Sequence, residues 1–361
     1  MKFFERVFVV AVATLCALSA GAAQAQDMVE ISYRGRSYVG RALAWDGSDA
    51  LLMRNDGRMT VIPADEQSDF QPVNREFEPI SNQELRDKLQ REFGSKYQVS
   101  VTPNFVVVHP KGAHSRWAQP FQTLYSRFRA YFETRGLSLD EPEFPMVAIV
   151  LRTRGEFDKF LRLYHRYDEN ILGYYSPRSN RVVTYDQSDD AGTGNHWILN
   201  AETIVHEAAH QTAFNVGIHS RIGIVPTWLS EGLATMFEAD GVNNCMHYSN
   251  LSDRINYDQF RNLQAAYRED KVIQALPGMI TDDQIFRSDP IQGYSMAWGL
   301  TFYLVETQPR KFHEFLRTNA ARDEYATYNS ADRAEEFVKC FGDLDTLAAR
   351  MKQFFEELPR R

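Results

Sequence analysis

The chain is poor in cysteine and in long apolar segments. Only 3 of its 361 residues are cysteine, which excludes a disulfide-rich scaffold. There is one long apolar run, near the N-terminus, and the mean hydropathy is −0.43, so a polytopic membrane protein is excluded. Positive charge is not in excess either. The formal net charge of −8 argues against a general nucleic-acid binder.

The remaining composition is that of a soluble, folded protein. Hydrophobic residues make up 43% of the chain and aromatic residues 13%, which is enough apolar surface for a sizeable core. The length of the chain suggests two domains, or one large domain with an appendage.

The apolar run at the N-terminus has the organisation of a secretory signal peptide. Lys2 and Arg6 form a positive region, an apolar stretch follows over residues 7–18, and Ala23-Gln24-Ala25 matches a cleavage pattern. We predict that residues 1–25 are removed on export to the periplasm or the extracellular space, and that no membrane span remains afterwards. An uncleaved membrane anchor is the alternative.

Two cysteines, Cys245 and Cys340, lie outside this segment. Because disulfides persist in oxidising compartments, an exported chain with two cysteines predicts one disulfide between them. Two buried free thiols are the alternative.

The residues after the signal predict a small β module, a connecting segment and a larger domain. Residues 26–66 contain short strand-like runs separated by turn signals such as Arg34-Gly35, which indicates an SH3-like barrel. Its residues form no recognisable catalytic motif, and we predict that the module offers a surface for a partner. Residues 67–96 are predicted to be a linker and a helix. Residues 97–361 are predicted to form one domain with a mixed sheet and a mainly helical C-terminal part, so the expected fold class is α+β.

Several elements of the larger domain can be located. The strands and helices predicted from residue patterns are helices over 82–93, 117–134 and 156–167, strands over 98–102, 105–109 and 147–152, and a hairpin over 171–185.

The segment His206-Glu207-Ala208-Ala209-His210 carries the chemistry. Asn200 as an N-cap and Gly217 as a stop signal predict a helix over residues 201–216. Side chains four residues apart lie on one helix face, so both imidazoles can reach a single Zn²⁺ ion. Glu207, the residue after His206, lies further round the helix, where its carboxylate can hold a metal-bound water molecule. Two histidines and a glutamate on a solvated surface are the alternative.

A second predicted helix supplies a third ligand. In Pro226-Thr227-Trp228-Leu229-Ser230-Glu231-Gly232, Thr227 is the predicted N-cap and Glu231 lies in the first turn. Two histidines and one glutamate leave a coordination position open, as catalytic zinc sites do. Glu238 lies two turns further on and is a candidate acceptor for a histidine N–H, with a surface carboxylate as the alternative. His219 is an inferior alternative third ligand.

These motifs resemble the gluzincin zinc metallopeptidases. More narrowly, His206-Glu207-x-x-His210 and Trp228-Leu229-Ser230-Glu231-Gly232 are similar to the bacterial peptidase-MA-like group labelled domain of unknown function 1570. The segments at 173–177, 183–186 and 294–300 are similar to that group too, so the resemblance covers roughly residues 97–355.

The resemblance implies a role for each matching residue. His206, His210 and Glu231 match the ligands of one zinc ion, and Glu207 matches the general base. Tyr294 matches, more loosely, the tyrosine that stabilises an oxyanion, and a tyrosine packed beside Trp298 is the alternative.

Substrate contacts are predicted from a strand. Tyr174 and Tyr175 lie on the strand before the zinc helix, and an extended peptide could pair with that strand if it forms an open edge. Ordinary strand aromatics are the alternative for at least one of the two.

The expected function is therefore an exported zinc peptidase that acts on a peptide or protein substrate and binds no nucleic acid. A metal-activated water would attack the peptide bond with Glu207 as base. Two alternatives stay open. One is a zinc-binding but inactive interaction protein of the cell envelope, and the other is an amidase acting on cell-wall peptide.

Overall fold

The structure is a computed structural model that describes the chain outside its N-terminal segment and a few short gaps. The described ranges are 28–45, 49–112, 114–163, 171–187, 196–248, 250–323 and 326–359. The predicted signal peptide lies outside them. The chain divides into two compact units, one that runs to Leu52 and includes Val61–Phe77, and one formed by Met53–Thr60 with Glu78–Arg361. The predicted boundaries at residues 66 and 96 stay predictions.

The N-terminal strands form a five-stranded sheet in the order β4-β3-β2-β1-β5. The strands are β1 (Met28–Tyr33), β2 (Arg36–Trp45), β3 (Ala50–Met53), β4 (Met59–Ile62) and β5 (Gln67–Pro72). Strand β1 pairs antiparallel with both β2 and β5. Arg34 and Gly35 both have positive φ, of 49° and 70°, as a two-residue hairpin turn requires. The predicted β-rich segment is confirmed, and its SH3-like closure stays a prediction.

A second, mixed sheet forms the centre of the larger unit. Its strands are β6 (Tyr97–Val101), β7 (Phe105–Pro110), β8 (Met146–Leu151), β9 (Gly173–Ser176) and β10 (Arg181–Tyr185), in the order β6-β7-β8-β10-β9. Strands β7, β8 and β10 run parallel, whereas β6 and β9 are antiparallel to their neighbours. All residues of β8 are buried, as expected for a strand covered on both faces. Strand β9 lies at an edge.

Helices cover this sheet and continue to the C-terminus. They are α1 (Asn82–Phe93), α2 (His114–Glu133), α3 (Arg154–Leu163), α4 (His196–Asn215), α5 (Thr227–Phe237), α6 (Asp240–Asn243), α7 (Tyr257–Arg268), α8 (Lys271–Thr281), α9 (Ile285–Ser288), α10 (Pro290–Thr307), α11 (Pro309–Ala320), α12 (Ser330–Phe341) and α13 (Leu344–Glu357). The predicted α+β class with a helical C-terminal part is confirmed. Among the described residues, no helix combines the length and the apolar composition needed to span a bilayer.

Alternation along the strands divides the core between the two faces of the mixed sheet. Val106 and Val108 of β7 pack with apolar residues of α1 and α3. Phe105 and Val107 point the other way, into a larger cluster that includes α2, α4, α5 and α10. Helix α4 is therefore held against the sheet by the main core.

Helix α4 begins at His196, before the predicted N-cap at Asn200. The Asn200 side chain instead accepts the backbone N–H of Gln187 at 3.0 Å. The residue thus makes a tertiary contact that local pattern cannot show.

Both cysteines are free thiols of intermediate burial. The predicted disulfide between Cys245 and Cys340 is therefore wrong for this structure. The physical reason is their placement. Cys245 follows α6, which packs on α2 and α5, whereas Cys340 lies in α12, which packs on α8 and α11. The Cys340 thiol donates to the backbone oxygen of Lys311 instead.

Helices α5 and α10 approach very closely at Gly232. A Cβ atom there would lie 2.3 Å from Thr301 Oγ1 and 2.4 Å from the backbone oxygen of Ala297. Gly232 is therefore required for this contact, which sets the position of the neighbouring residue Glu231 against α10.

We expect Gly232→Ala to lower the free energy of unfolding by about 1–3 kcal/mol, because the added methyl group forces α5 away from α10. Urea unfolding followed by circular dichroism measures this change. Gly278→Ala in α8 is the matched control, since a Cβ atom there meets nothing within 4 Å. Equal stabilities of the two variants would contradict the close packing.

Candidate metal centre

Helix α4 carries both histidines of the His-Glu-x-x-His motif on one face. Its opposite face is apolar: Ile204 and Ala208 are buried in the main core. His206 and His210 lie about one helical turn apart, and their Nε2 atoms are 3.2 Å from each other. The helix therefore presents both imidazoles to one point.

Helix α5 brings Glu231 to the same point. Its Oε2 atom lies 3.4 Å from His206 Nε2 and 3.3 Å from His210 Nε2. Ligand atoms bound tetrahedrally to zinc at their usual bond lengths are separated by about 3.4 Å. The triangle formed by His206 Nε2, His210 Nε2 and Glu231 Oε2 therefore has the size that a zinc ion requires. Within the described ranges, these three residues are the only group of histidine, cysteine and acidic side chains close enough together to hold a metal ion.

The chemistry of this triangle also fits a cation. Glu231 Oε2 is a buried acceptor that receives no hydrogen bond from the part of the chain that the structure describes. A buried acceptor without a partner is destabilising, and a cation at the centre removes that cost. Two imidazole nitrogens and one carboxylate oxygen suit zinc and leave a coordination position open. The residues present therefore fit one Zn²⁺ ion.

The groups of the triangle shift each other's pKa values. Burial by itself raises the pKa of Glu231, but the adjacent His210 and His206 outweigh it and hold that pKa well below its ordinary value. Burial by itself lowers the pKa of His206, but the adjacent carboxylates of Glu231 and Glu238 raise it well above the ordinary value. Each group thus favours the charged form of the other.

A chain of hydrogen bonds orients His206. Its Nδ1 atom lies 2.8 Å from Glu238 Oε1, and Glu238 Oε2 accepts from Asn256 Nδ2 at 2.8 Å. The carboxylate places the imidazole proton on Nδ1, which leaves the Nε2 lone pair facing the centre. Glu238 thus lies where the sequence predicts it.

Asn256 was not predicted as part of the site. It is buried, it also donates to the backbone oxygen of Thr235, and its Oδ1 accepts the backbone N–H of Gln259 as the N-cap of α7. The sequence signals only the cap, because no local pattern links Asn256 to Glu238.

The edge strand β9 positions the Glu207 side chain. The backbone of Tyr175 in β9 donates to its carboxylate. A Cβ atom at Gly173 would lie 2.7 Å from Glu207 Cγ and 2.6 Å from Thr203 Cγ2, so the strand passes directly against this side chain. Burial raises the pKa of Glu207, although His206 and His210 lower it in part. The result is a carboxylate of increased basicity beside the triangle.

Tyr294 of α10 approaches the triangle from another direction. Its hydroxyl hydrogen-bonds Glu231, and the negative charge of Glu231, followed by burial, raises the pKa of the phenol well above its ordinary value. Its ring packs edge-on against Phe286. The hydroxyl therefore stays protonated and is available as a donor beside the triangle.

The two predicted substrate-contacting tyrosines have different surroundings. Tyr175 is buried, and its hydroxyl donates to Asn180 Oδ1 at 3.0 Å, which corresponds to the alternative of an ordinary strand aromatic. The alternation of β9 turns it into the core, and only its backbone reaches the site. Tyr174 is half-buried beside the smaller core cluster, and its predicted role stays a prediction.

His219 is not part of the triangle. It is buried with its ring 5.0 Å from that of Phe214. Burial, followed by the charge of His210, lowers its pKa to about 3. It is therefore a neutral core histidine and not the alternative third ligand.

The N-terminus of α5 is capped from a distant loop. Its N-cap residue is Pro226, and the Thr227 backbone N–H donates to Asp283 Oδ1 at 3.1 Å. Asp283 also pairs with Arg333 of α12. The predicted N-cap at Thr227 is wrong, because a residue remote in sequence supplies the acceptor.

Comparisons with known proteins give a family match and weak likenesses to solved structures. The family model described as "Protein of unknown function (DUF1570)" matches residues 200–325, which include the triangle and Tyr294, so the predicted resemblance to that group is confirmed over this range. A search of the curated proteins found no match to the sequence.

Two of the similar solved structures are M1 zinc metallopeptidase mutants, each with a TM-score of 0.36 and an identity of 13%. One is a two-domain enzyme bound to L-arginine, with 73% of this chain and 52% of that chain covered. The other is from Deinococcus radiodurans, with 93% of this chain and 63% of that chain covered. The chain thus spans less than two thirds of either.

Asn256→Asp tests the hydrogen-bond chain behind His206. The substitution keeps the N-cap of α7 but removes the donor to Glu238, so the carboxylate no longer holds His206 in place. We expect the affinity for Zn²⁺ to fall about 10- to 100-fold, measured by competition with a chromophoric chelator. Asn329→Asp at the N-cap of α12 is the control, and it should bind Zn²⁺ like the unaltered chain. Equal Zn²⁺ affinities of the two variants would show that Asn256 does not contribute to metal binding.

Proposed function

We propose that the chain is a zinc-dependent peptidase of the gluzincin type, which hydrolyses peptide bonds. The observation that carries the proposal is the triangle of His206, His210 and Glu231 with Glu207 beside it. A bound zinc ion at this place would polarise the scissile carbonyl group and increase the acidity of water.

Glu207 is the general base of the proposed reaction. Its raised pKa favours the uptake of a proton from the attacking water, and the same carboxylic acid can then protonate the leaving amine. The backbone contact with Tyr175 and the close approach of Gly173 fix the direction of the carboxylate. Orientation of this kind is what an acid–base group needs to act on one substrate position.

Tyr294 is the proposed donor to the oxygen atom that gains charge during the attack. The contact with Glu231 places its hydroxyl beside the metal ligands, and its raised pKa keeps the proton on the oxygen. A protonated phenol at this place stabilises negative charge that develops only in the transition state.

The edge position of β9 supports a binding mode for the peptide. In the described residues, β9 pairs with β10 on one side only. An extended peptide lying along the other side would pass Glu207, which the same strand contacts. The proposal therefore includes an extended peptide or protein as substrate.

Export and partner binding are further parts of the proposal. The signal-like segment at 1–25 supports a periplasmic or extracellular location. The β-rich N-terminal sheet is proposed to have an SH3-like form and to be a surface for a partner.

Glu207→Gln separates the peptidase from an inactive zinc-binding protein. We expect one bound Zn²⁺ per chain, measured by atomic emission, and a loss of hydrolysis of about 10²- to 10⁴-fold, because the amide cannot take a proton. Cleavage sites in a denatured proteome, identified by mass spectrometry, give the activity. The exposed Glu335→Gln, which makes the same charge change on α12, should behave like the unaltered chain.

Two results would contradict this proposal. Undiminished hydrolysis by Glu207→Gln would show that Glu207 is not the general base. An unaltered chain that binds no Zn²⁺ would contradict the zinc-dependent mechanism. Cleavage limited to cell-wall peptides would favour the amidase instead.

Gly173→Ala tests how the edge strand positions Glu207. The added methyl group would collide with the Glu207 stem, so we expect kcat to fall about 10- to 100-fold while Zn²⁺ stays bound. Gly155→Ala is the control, since a Cβ atom there has no neighbour closer than 4.0 Å. An unchanged kcat for Gly173→Ala would show that β9 does not set the position of the base.

A further inference from the structure

An open groove begins one hydrogen bond away from the metal ligands. Its first half has a volume of about 470 Å³ and is bounded by the N-terminal half of α4, the end of α5 and the start of α7. Glu238 forms part of its wall, and the same side chain holds His206 through Oε1. The groove therefore adjoins the proposed catalytic centre.

The lining of this half combines carboxylates with apolar side chains. Its carboxylates belong to Glu202, Glu238, Asp240, Asp253 and Asp258. Val205 and Ile255 are among its apolar residues, and no lysine or arginine of the described chain lines it. Such a surface complements a ligand with an aliphatic stem and a positively charged end.

Three of these carboxylates, those of Glu202, Asp240 and Asp253, have no ion-pair partner among the residues described. Asp258, in contrast, pairs with Arg261. Burial, and then the negative charges of Glu238 and Asp258, raise the pKa of Glu202. The groove thus holds negative charge that a cationic ligand would relieve.

The arrangement does not suit a second metal ion. In the described part of the chain, the carboxylates of the groove do not converge as the triangle does. A small cation needs several oxygen atoms around one point. A long organic cation instead contacts dispersed carboxylates along its length.

The groove continues into a half of opposite character. This second half, of about 710 Å³, shares Ala201, Val205 and Asn243 with the first, and it is lined by Arg116 and Arg127 of α2. The charge therefore changes from negative near the metal ligands to positive further away. A polypeptide lying along the groove would meet both halves in turn.

We propose that this groove binds the peptide substrate and that its acidic half receives a lysine or arginine side chain next to the scissile bond. This inference rests on the proposed peptidase function and names its substrate class. Glu202 and Asp240 are specificity-determining residues in it. The apolar wall contacts the methylene stem, and the carboxylates attract the charged end.

Matched peptides test this proposal with the full, zinc-loaded chain. Internally quenched peptides carry lysine, norleucine or glutamate at one position at a time, so that lysine and norleucine differ mainly in charge. We expect one position at which lysine raises kcat/KM over norleucine by roughly five- to tenfold, and glutamate lowers it. The lysine preference should weaken as sodium chloride is added, because the contributing carboxylates are exposed to solvent.

Charge-neutralising variants locate the preference. In the double variant Glu202→Gln/Asp240→Asn, the ratio of lysine to norleucine should fall to about twofold or less. Glu335→Gln on α12 should leave the ratio unchanged. A preference that persists in the double variant would overturn the assignment to this groove, and equal cleavage of the lysine and norleucine peptides at every position would overturn the proposal.

A binding measurement separates this proposal from the peptidase function. Fluorescence anisotropy of labelled lysine and norleucine peptides on the Glu207→Gln variant reports recognition without hydrolysis. Tighter binding of the lysine peptide, abolished by the double substitution, supports the groove even if no peptide is cleaved. Equal binding of the two peptides would contradict the proposal that the groove recognises a positively charged side chain. The proposed hydrolysis by the unaltered chain would not be affected by that result.

Discussion

Three electron-rich atoms, His206 Nε2, His210 Nε2 and Glu231 Oε2, meet at 3.2–3.4 Å in a partly buried place. Without a positive charge between them this arrangement is unfavourable, because unshared lone pairs face one another away from water. The raised pKa of His206 reflects the same demand, since a proton supplies the missing positive charge. A metal ion and a proton therefore compete for one position.

The surrounding fold holds this unfavourable group together by packing. Apolar residues on the inner face of α4 tie it to the mixed sheet, and the contact at Gly232 presses α5 against α10. The edge strand β9 closes the third side through Gly173. Each element thus contributes to the core with one face and to the candidate metal centre with the other, so packing holds the three side chains in place.

Much of this centre could be predicted because its spacing is short. His206 and His210 share a helix face, and that relation follows from helix geometry alone. Glu231 required only that a second helix return after the connection formed by residues 216–226. Tyr175, in contrast, is predicted as part of a strand with which a peptide could pair, and the structure turns its side chain into the core while its backbone contacts Glu207. Local pattern did not decide which face of β9 meets α4.

Residue patterns along the chain were enough to predict the α+β class, the mixed sheet, the helical C-terminal part and the grouping of the two histidines with Glu231, because these depend on periodicity and on short motifs. Three further features became known only from the packed fold: Asn256 supports Glu238, Asp283 caps α5, and the two cysteines stay apart. These contacts join residues many positions apart. Hydrogen bonds and close packing across such distances depend on how elements pack, which no local propensity encodes.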